Sequence, residues 1–157
     1  MLGWIGLTGD PNGWIERKGL GPSALDPRLD FREFKRIFSG KKGAIKPGLM
    51  NQNLVAGIGN IYADEILFQA RIHPRMKIAG LDQRQLESLF NSLRAVLRTA
   101  VDSKGDIGKL PKEYILRNRR KGAVCPTCGS KLETVKAAGR TSYFCPHCQK
   151  INPAPSR

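Results

Sequence analysis

The four cysteines of this 157-residue chain fall in two CxxC pairs, Cys125-Pro126-Thr127-Cys128 and Cys145-Pro146-His147-Cys148, sixteen residues apart. Two cysteines three apart can turn their sulfurs to one side of a tight knuckle, and two knuckles supply the tetrahedral thiolate set that zinc prefers. With no coordination position left open, one structural Zn2+ is expected and not a catalytic one. Gly129 suits the first knuckle, and Lys131–Val135 with Thr141–Phe144 read as two strands of a hairpin. A segment of this size has too little core to fold unaided, so the metal should supply its stability. His147 then faces solvent, because four sulfurs fill the shell. Redox dithiols and another metal are the competing readings. Structural disulfides are disfavoured, because no secretory signal follows Met1.

A second stretch with chemical content is Asn51-Gln52-Asn53-Leu54-Val55-Ala56-Gly57-Ile58-Gly59-Asn60, followed by Ile61 to Leu67. Gly57 and Gly59 let the backbone turn sharply and approach a ligand closely. Asn60 then opens a helix whose first amides have no internal partner, an end able to bind phosphate. Equally, Asn60 is a plain N-cap and the glycines a tight corner between helices. The residues alone leave these two readings level. Asp64 and Glu65 could be mistaken for a catalytic acid pair; complementing the helix dipole is the expected role.

Charge says what such sites could meet. The formal charge is +14, from 27 Lys and Arg against 13 Asp and Glu, a field that attracts polyanions. Its distribution matters more. Arg32, Lys35, Arg36, Lys41, Lys42 and Lys46 face only Glu33 between residues 31 and 50, and a second basic block runs from Lys112 onward. The centre is nearly balanced. Two basic blocks around a neutral helical centre suit a shaped binding face better than a diffusely cationic or membrane-binding surface. No run of eighteen apolar residues is present and 40% of residues are hydrophobic, so a soluble intracellular protein with a real core is expected.

The elements that must position these residues are mainly helical. Asp30 caps a helix over Phe31–Phe38, a short one follows Lys46-Pro47, and another runs from Asn60 to about Ala70. The longest begins at Asp82, with Gln85 at the box position and Leu86, Leu89, Phe90, Leu93, Val96, Leu97, Ala100 and Val101 at three-and-four spacing. A helical piece near Lys112–Leu116 leads into a basic hinge, Arg117–Gly122. Residues 1–30 read as a remnant strand (Met1–Leu7) and linker, with turns at Gly9–Gly13 and Gly19–Pro27. The expected division is 1–30, a helical domain at 31–117, a finger at 118–152 and a frayed tail at 153–157.

Lys42-Gly43-Ala44-Ile45-Lys46-Pro47-Gly48-Leu49-Met50, the Gly57–Leu67 run and His73-Pro74 together resemble the helix–two-turns–helix (H2TH) domain of the formamidopyrimidine-DNA glycosylase and endonuclease VIII family. Gly139-Arg140-Thr141-Ser142-Tyr143-Phe144-Cys145-Pro146-His147-Cys148-Gln149-Lys150 resembles that family's terminal zinc finger. The likeness runs from about Leu20 to Lys150 with both motifs in order. It implies a mainly α fold, an H2TH domain followed by a small β-hairpin four-cysteine finger, and duplex DNA, damaged or abasic, as partner. Family members remove oxidised bases and nick the abasic site by beta and delta elimination. By resemblance Asn60 grips phosphate beside the damaged nucleotide. Arg140 binds the same phosphates and donates a proton in delta elimination. Lys42 contacts DNA, and Lys46 lies near the lesion pocket.

The departures bear on activity. The family's amine nucleophile is an N-terminal proline followed by glutamate, whereas this chain begins Met1-Leu2-Gly3. The catalytic β-sandwich lobe is not recognisable, and Val101–Cys125 lacks the family's longer glycine-rich loop. The expectation is therefore a monomeric DNA-binding portion, cytoplasmic or nucleoid-associated, inactive alone and completed by a separate N-terminal lobe. Retained glycosylase or lyase activity and a non-enzymatic nucleic-acid-binding or protein-binding adaptor are the rivals.

Overall fold

A computed structural model describes residues 7–151. Five α-helices run in chain order: α1 (Pro11–Arg17), α2 (Phe31–Phe38), α3 (Ile45–Leu49), α4 (Asn60–Gln69) and α5 (Gln83–Asp102). Short 3₁₀ turns follow at Ile107–Lys109 and Ile115–Asn118, and β1 (Glu133–Ala137) pairs antiparallel with β2 (Arg140–Phe144).

The helical ends form for the local reasons the residues give. Asp30 accepts the Glu33 amide at the head of α2, and Asp82 and Gln85 complete a reciprocal box at the head of α5. Phe34 and Phe38 of α2 stack at 4.7 Å, and Phe34 meets Phe90 of α5 at 5.3 Å. Around them Ile45, Leu49, Ile66, Leu67, Leu89 and Leu93 are fully buried. At the centre lies α4, with Ala63 to Phe68 buried without a break. A helix covered on all sides needs neighbours on all sides. It has α3 and α5 from the helical unit, and β2 and the 3₁₀ turn Ile115–Asn118 from the finger side.

The opening segment is not the turn-and-linker expected. Asp10 accepts the Gly13 amide and Pro11 stands at the first turn, so Gly9–Gly13 opens α1. The strand expected over Met1–Leu7 lies outside the described residues except for Leu7. Nor is Gly19–Pro27 a free linker. Ala24 and Leu29 enter the helical core, and Ser23 pairs with Ala56 through the Ala24 amide to Ala56 O and the Ala56 amide to Pro22 O. Gly21 is required there, since a Cβ would stand 2.4 Å from the Leu54 carbonyl oxygen.

The helical piece expected at Lys112–Leu116 is instead a turn followed by the 3₁₀ segment Ile115–Asn118. β1 begins and ends two residues beyond its expected limits, displaced toward the hairpin tip, and β2 begins one residue early, at Arg140, and ends as expected. Ala138 and Gly139 both take positive φ, 47° and 74°, making the two-residue turn whose twist suits a tight hairpin.

Candidate nucleic-acid interface

The turn before α4 is built from Gly57 and a side chain the sequence reading passed over. Gly57 has φ 96°, a left-handed conformation, and its amide donates to Gln52 Oε1 at 2.9 Å. The Gln52 amide nitrogen in turn donates to Met50 O and Ile58 O, at 3.1 and 3.0 Å, while Ile58 plugs the core. Gln52 is therefore a clasp that fixes the loop. A Cβ built on Gly57 or Gly59 meets nothing within 4 Å, so the turn presents bare backbone to open space.

The plain N-cap reading of Asn60 fails. The cap position is Gly59, no side chain caps α4, and Asn60 is its first helical residue. Its side-chain oxygen is buried without a hydrogen-bond partner. The head of α4 thus keeps uncapped amides, donors that an anion can complete, whereas the Asn60 side-chain oxygen is an acceptor and calls for a donor.

One turn further along, Asp64 and Glu65 do not complement the dipole. Both are fully buried and neither lies in the first turn. Asp64 receives Lys46 Nζ at 2.6 Å, Arg119 Nε and Nη2 at 2.9 and 2.7 Å, and the Tyr143 amide at 3.2 Å. Glu65 accepts the Leu116 amide at 3.0 Å and the Gln69 side chain at 2.7 Å. The available signal was their setting: two acids among Ala63, Ile66, Leu67 and Phe68 leave the helix no polar face. The surface-charge alternative for Lys46 is corrected too. The residue is 0% exposed, donates to Asp64 and to Thr141 O, and so turns its charge inward where a surface lysine was the alternative to a contact near a pocket. Arg119 is no hinge residue; it is pinned to Asp64 and stacks on the Tyr143 ring at 4.5 Å.

The finger brings Cys125, Cys128, Cys145 and Cys148 together with all four Sγ atoms within 4.8 Å of one another. The Cys125–Cys148 and Cys128–Cys145 sulfurs lie 3.9 and 3.4 Å apart. Tetrahedral zinc with bonds of about 2.3 Å sets its sulfurs about 3.8 Å apart, so the donor set fits. Gly129 takes φ 76° in the first knuckle, and the Cys148 amide points at Cys145 Sγ at 3.4 Å. One zinc ion held by these cysteines is structural, since four thiolates leave no site for substrate. His147 is exposed, as expected.

The finger is locked onto the end of α4. Gln149, fully buried, accepts the Cys145 amide and donates to Ile72 O, each at 2.9 Å. His73 packs edge-on against Phe144 at 4.5 Å, and Arg75 Nε donates to Lys136 O. Arg140, first residue of β2, is exposed and close enough to Lys46 to repel its charge. Through Lys46 and Asp64 it is tied to the helix that Asn60 heads. Lys42 is exposed between α2 and α3, with no hydrogen bond or ion pair among the described residues to bind it to this group.

With this geometry in hand, comparison with known proteins is decisive. The sequence pattern of the formamidopyrimidine-DNA glycosylase H2TH domain matches residues 20–111, and that of the zinc finger found in FPG and IleRS matches 122–151. The chain belongs to the formamidopyrimidine-DNA glycosylase family. A formamidopyrimidine-DNA glycosylase from Thermomicrobium roseum is 40% identical over 144 residues, spanning 85% of this chain and 50% of its own length. One from Arabidopsis thaliana is 36% identical over 148 residues, 94% of this chain and 38% of its own. Among solved structures, Lactococcus lactis Fpg in complex with DNA containing an abasic site superposes with TM-score 0.79 at 30% identity, covering 91% of this chain and 56% of that one. A MutM bound to DNA containing carbocyclic 8-oxo-G gives 0.78 at 32%, covering 91% and 55%. The chain spans about half the length of the curated relatives it matches.

Within this family frame the two recognised motifs both pack against α4. The glycosylase H2TH pattern begins at residue 20, in agreement with Ala24 and Leu29 entering the helical core. Burial shifts the titration of the groups at the join. Glu65 is raised to about 7, chiefly by desolvation and against the pull of its hydrogen bonds. Lys46 is lowered, again chiefly by burial, with Asp64 opposing. No helix among the described residues is long and apolar enough to cross a membrane.

Proposed function

We propose that this chain is the duplex-gripping portion of a base-excision DNA glycosylase and abasic-site lyase, holding backbone phosphates around an oxidised base or abasic site. The observation that carries the reading is the head of α4. A bare glycine turn and uncapped amides stand at the head of the helix to which the strand carrying the finger's Arg140 is hooked. In this reading Asn60 and Arg140 grip neighbouring phosphates, Gly57 and Gly59 let the strand approach, and Lys42 adds a peripheral contact. Arg140 is also the proton donor of delta elimination. Lys46 takes a supporting part from inside the protein. Such binding is salt-sensitive and weakly sequence-selective, because phosphate contacts carry no base code. Its setting is the compartment that holds the DNA, the cytoplasm and nucleoid in a bacterium.

Alanine at Asn60 or Arg140 is expected to weaken duplex binding by about 1–3 kcal/mol each, the scale of charge-assisted hydrogen bonds. Unchanged affinity in the double variant overturns the assignment. Activity is proposed to require an amine from outside the H2TH and finger region. Lys46, the buried amine among the described residues, is ion-paired and unavailable for Schiff-base chemistry. Borohydride reduction of this chain on abasic DNA should therefore trap no adduct. A covalent product mapping to Lys46 would show that the amine is present here.

A further inference from the structure

We propose that Asp64 is a positioning residue that sets the finger's Arg140 against the head of α4, acting through Lys46, Arg119 and the backbone of β2. This rests on the reading that Arg140 and Asn60 grip the same strand.

The Arg140 side chain makes no hydrogen bond or ion pair among the described residues, so its place is inherited from β2. That strand is held close behind it on both sides of Ser142. Lys46 Nζ donates to Thr141 O at 3.4 Å, and the Tyr143 amide donates to Asp64 Oδ2 at 3.2 Å. Lys46 itself is fixed by Asp64 Oδ1, and the second carboxylate oxygen also takes both Arg119 contacts. The Arg119 guanidinium closes the arrangement by lying over the Tyr143 ring. One fully buried carboxylate therefore joins α3, α4, the segment after the 3₁₀ turn and β2.

A buried ion cluster of this kind is a poor device for stability, because desolvating the charges offsets most of their attraction and apolar packing serves as well. It is a good device for direction. Each donor accepts only a narrow angle, and a shifted strand would strand a buried charge. Asn60 lies four residues before Asp64 on the same helix, about one turn. The same carboxylate thus references both proposed phosphate ligands to one helix.

The test is a set of four proteins: wild type, Arg140→Ala, Asp64→Asn, and the double variant. Each is titrated with an abasic-site duplex across a salt series, with zinc content and thermal melting followed alongside. Arg140→Ala should weaken wild-type binding roughly 5- to 150-fold and reduce the magnitude of the salt slope by about 1. Asp64→Asn should produce a similar loss and slope, with zinc retained, and Arg140→Ala should then add nothing. Lost stability alone does not remove one phosphate from the salt slope. If Asp64→Asn keeps the wild-type slope, or if the two losses add, the proposal is overturned. If Arg140→Ala has no effect in the wild type, the phosphate-gripping reading fails first, and the two failures are distinguishable. Should Asp64→Asn lose zinc or its cooperative melt, Arg119→Gln takes its place. Arg119 is 18% exposed, and its removal leaves the Lys46–Asp64 pair intact. A partial loss that is not additive with Arg140→Ala supports the proposal, and full additivity overturns it.

Discussion

The helical unit and the finger bury their backbones by opposite means. The helical unit has a continuous core in which Phe34, Leu49, Ile66, Leu89 and Leu93 interlock from four helices. The finger has Ile115, Ala123, Leu132, two of its own cysteines and one large side chain borrowed from α4, Phe68. Its hairpin has only two strands, too few to stand alone in water. The difference teaches where each region's stability resides: in packing for one, in metal and docking for the other. It also identifies α4 as the element that belongs to both.

The sharpest way to break this comparison is to remove the metal. Chelation, or Cys145→Ser, should unfold the finger, since structural zinc contributes apparent binding energies of about 10–16 kcal/mol in small fingers. Helical circular dichroism and slow amide exchange in α2 and α5 should survive. Loss of those helices together with the finger would show that the two regions are one cooperative unit and the contrast false.

Next in size is the shared helix. Phe68→Ala should cost about 3–5 kcal/mol, as buried phenylalanine truncations do, and the loss should appear as weaker zinc retention and faster exchange in β1 and β2. Leu93→Ala, of similar burial but wholly within the helical core, should cost about 2–5 kcal/mol and leave zinc retention unchanged. Equal effects of both on zinc would erase the boundary between the cores.

Legibility in the sequence follows the same division. Signals that are local in the chain could be read directly: Asp30 and Asp82 as caps, the apolar stripe of α5, and the CxxC knuckles. Signals that depend on a distant partner could not. Asp64 and Glu65 read as complements to the helix dipole because, although their apolar neighbours hint at burial, Lys46, Arg119, Tyr143 and Leu116 that hold them are distant in sequence. Lys46 read as a surface or pocket lysine because its partner is eighteen residues away. Arg119 looked like part of a hinge because its anchor lies fifty-five residues upstream. The α1 helix was missed because glycine at two positions hid an Asp-Pro start, and Gln52 because its acceptors belong to a turn not yet formed. Glycine and charge density pointed to the proposed interface. Burial decided which charges face it.

The smallest effect, and the one that tests the join itself, is the titration of Glu65. Its folded value of about 7 stands above the ordinary 4.5, so the folded protein holds a proton that the unfolded chain has released. The stabilising contribution is complete below about 4.5 and is lost as pH rises through about 7, a change on the order of 3 kcal/mol at 1.36 kcal/mol per unit. His73 works in the opposite direction. Burial and the neighbouring Arg75 depress it below 6.5, and its Nδ1 accepts the Arg75 amide, so its contribution is present above 6.5 and falls away in acid. The raw pH curve therefore mixes two opposed groups, and the informative quantity is the difference between wild type and Glu65→Gln. The new amide can still accept the Leu116 N–H, and Gln69 can rotate to offer its oxygen to the amide nitrogen. Urea midpoints measured from pH 5 to 8 should show the variant gaining on the wild type as pH rises. A constant difference would mean that Glu65 is hydrated, and that the seam between α4 and the segment entering the finger is open where the structure has it closed.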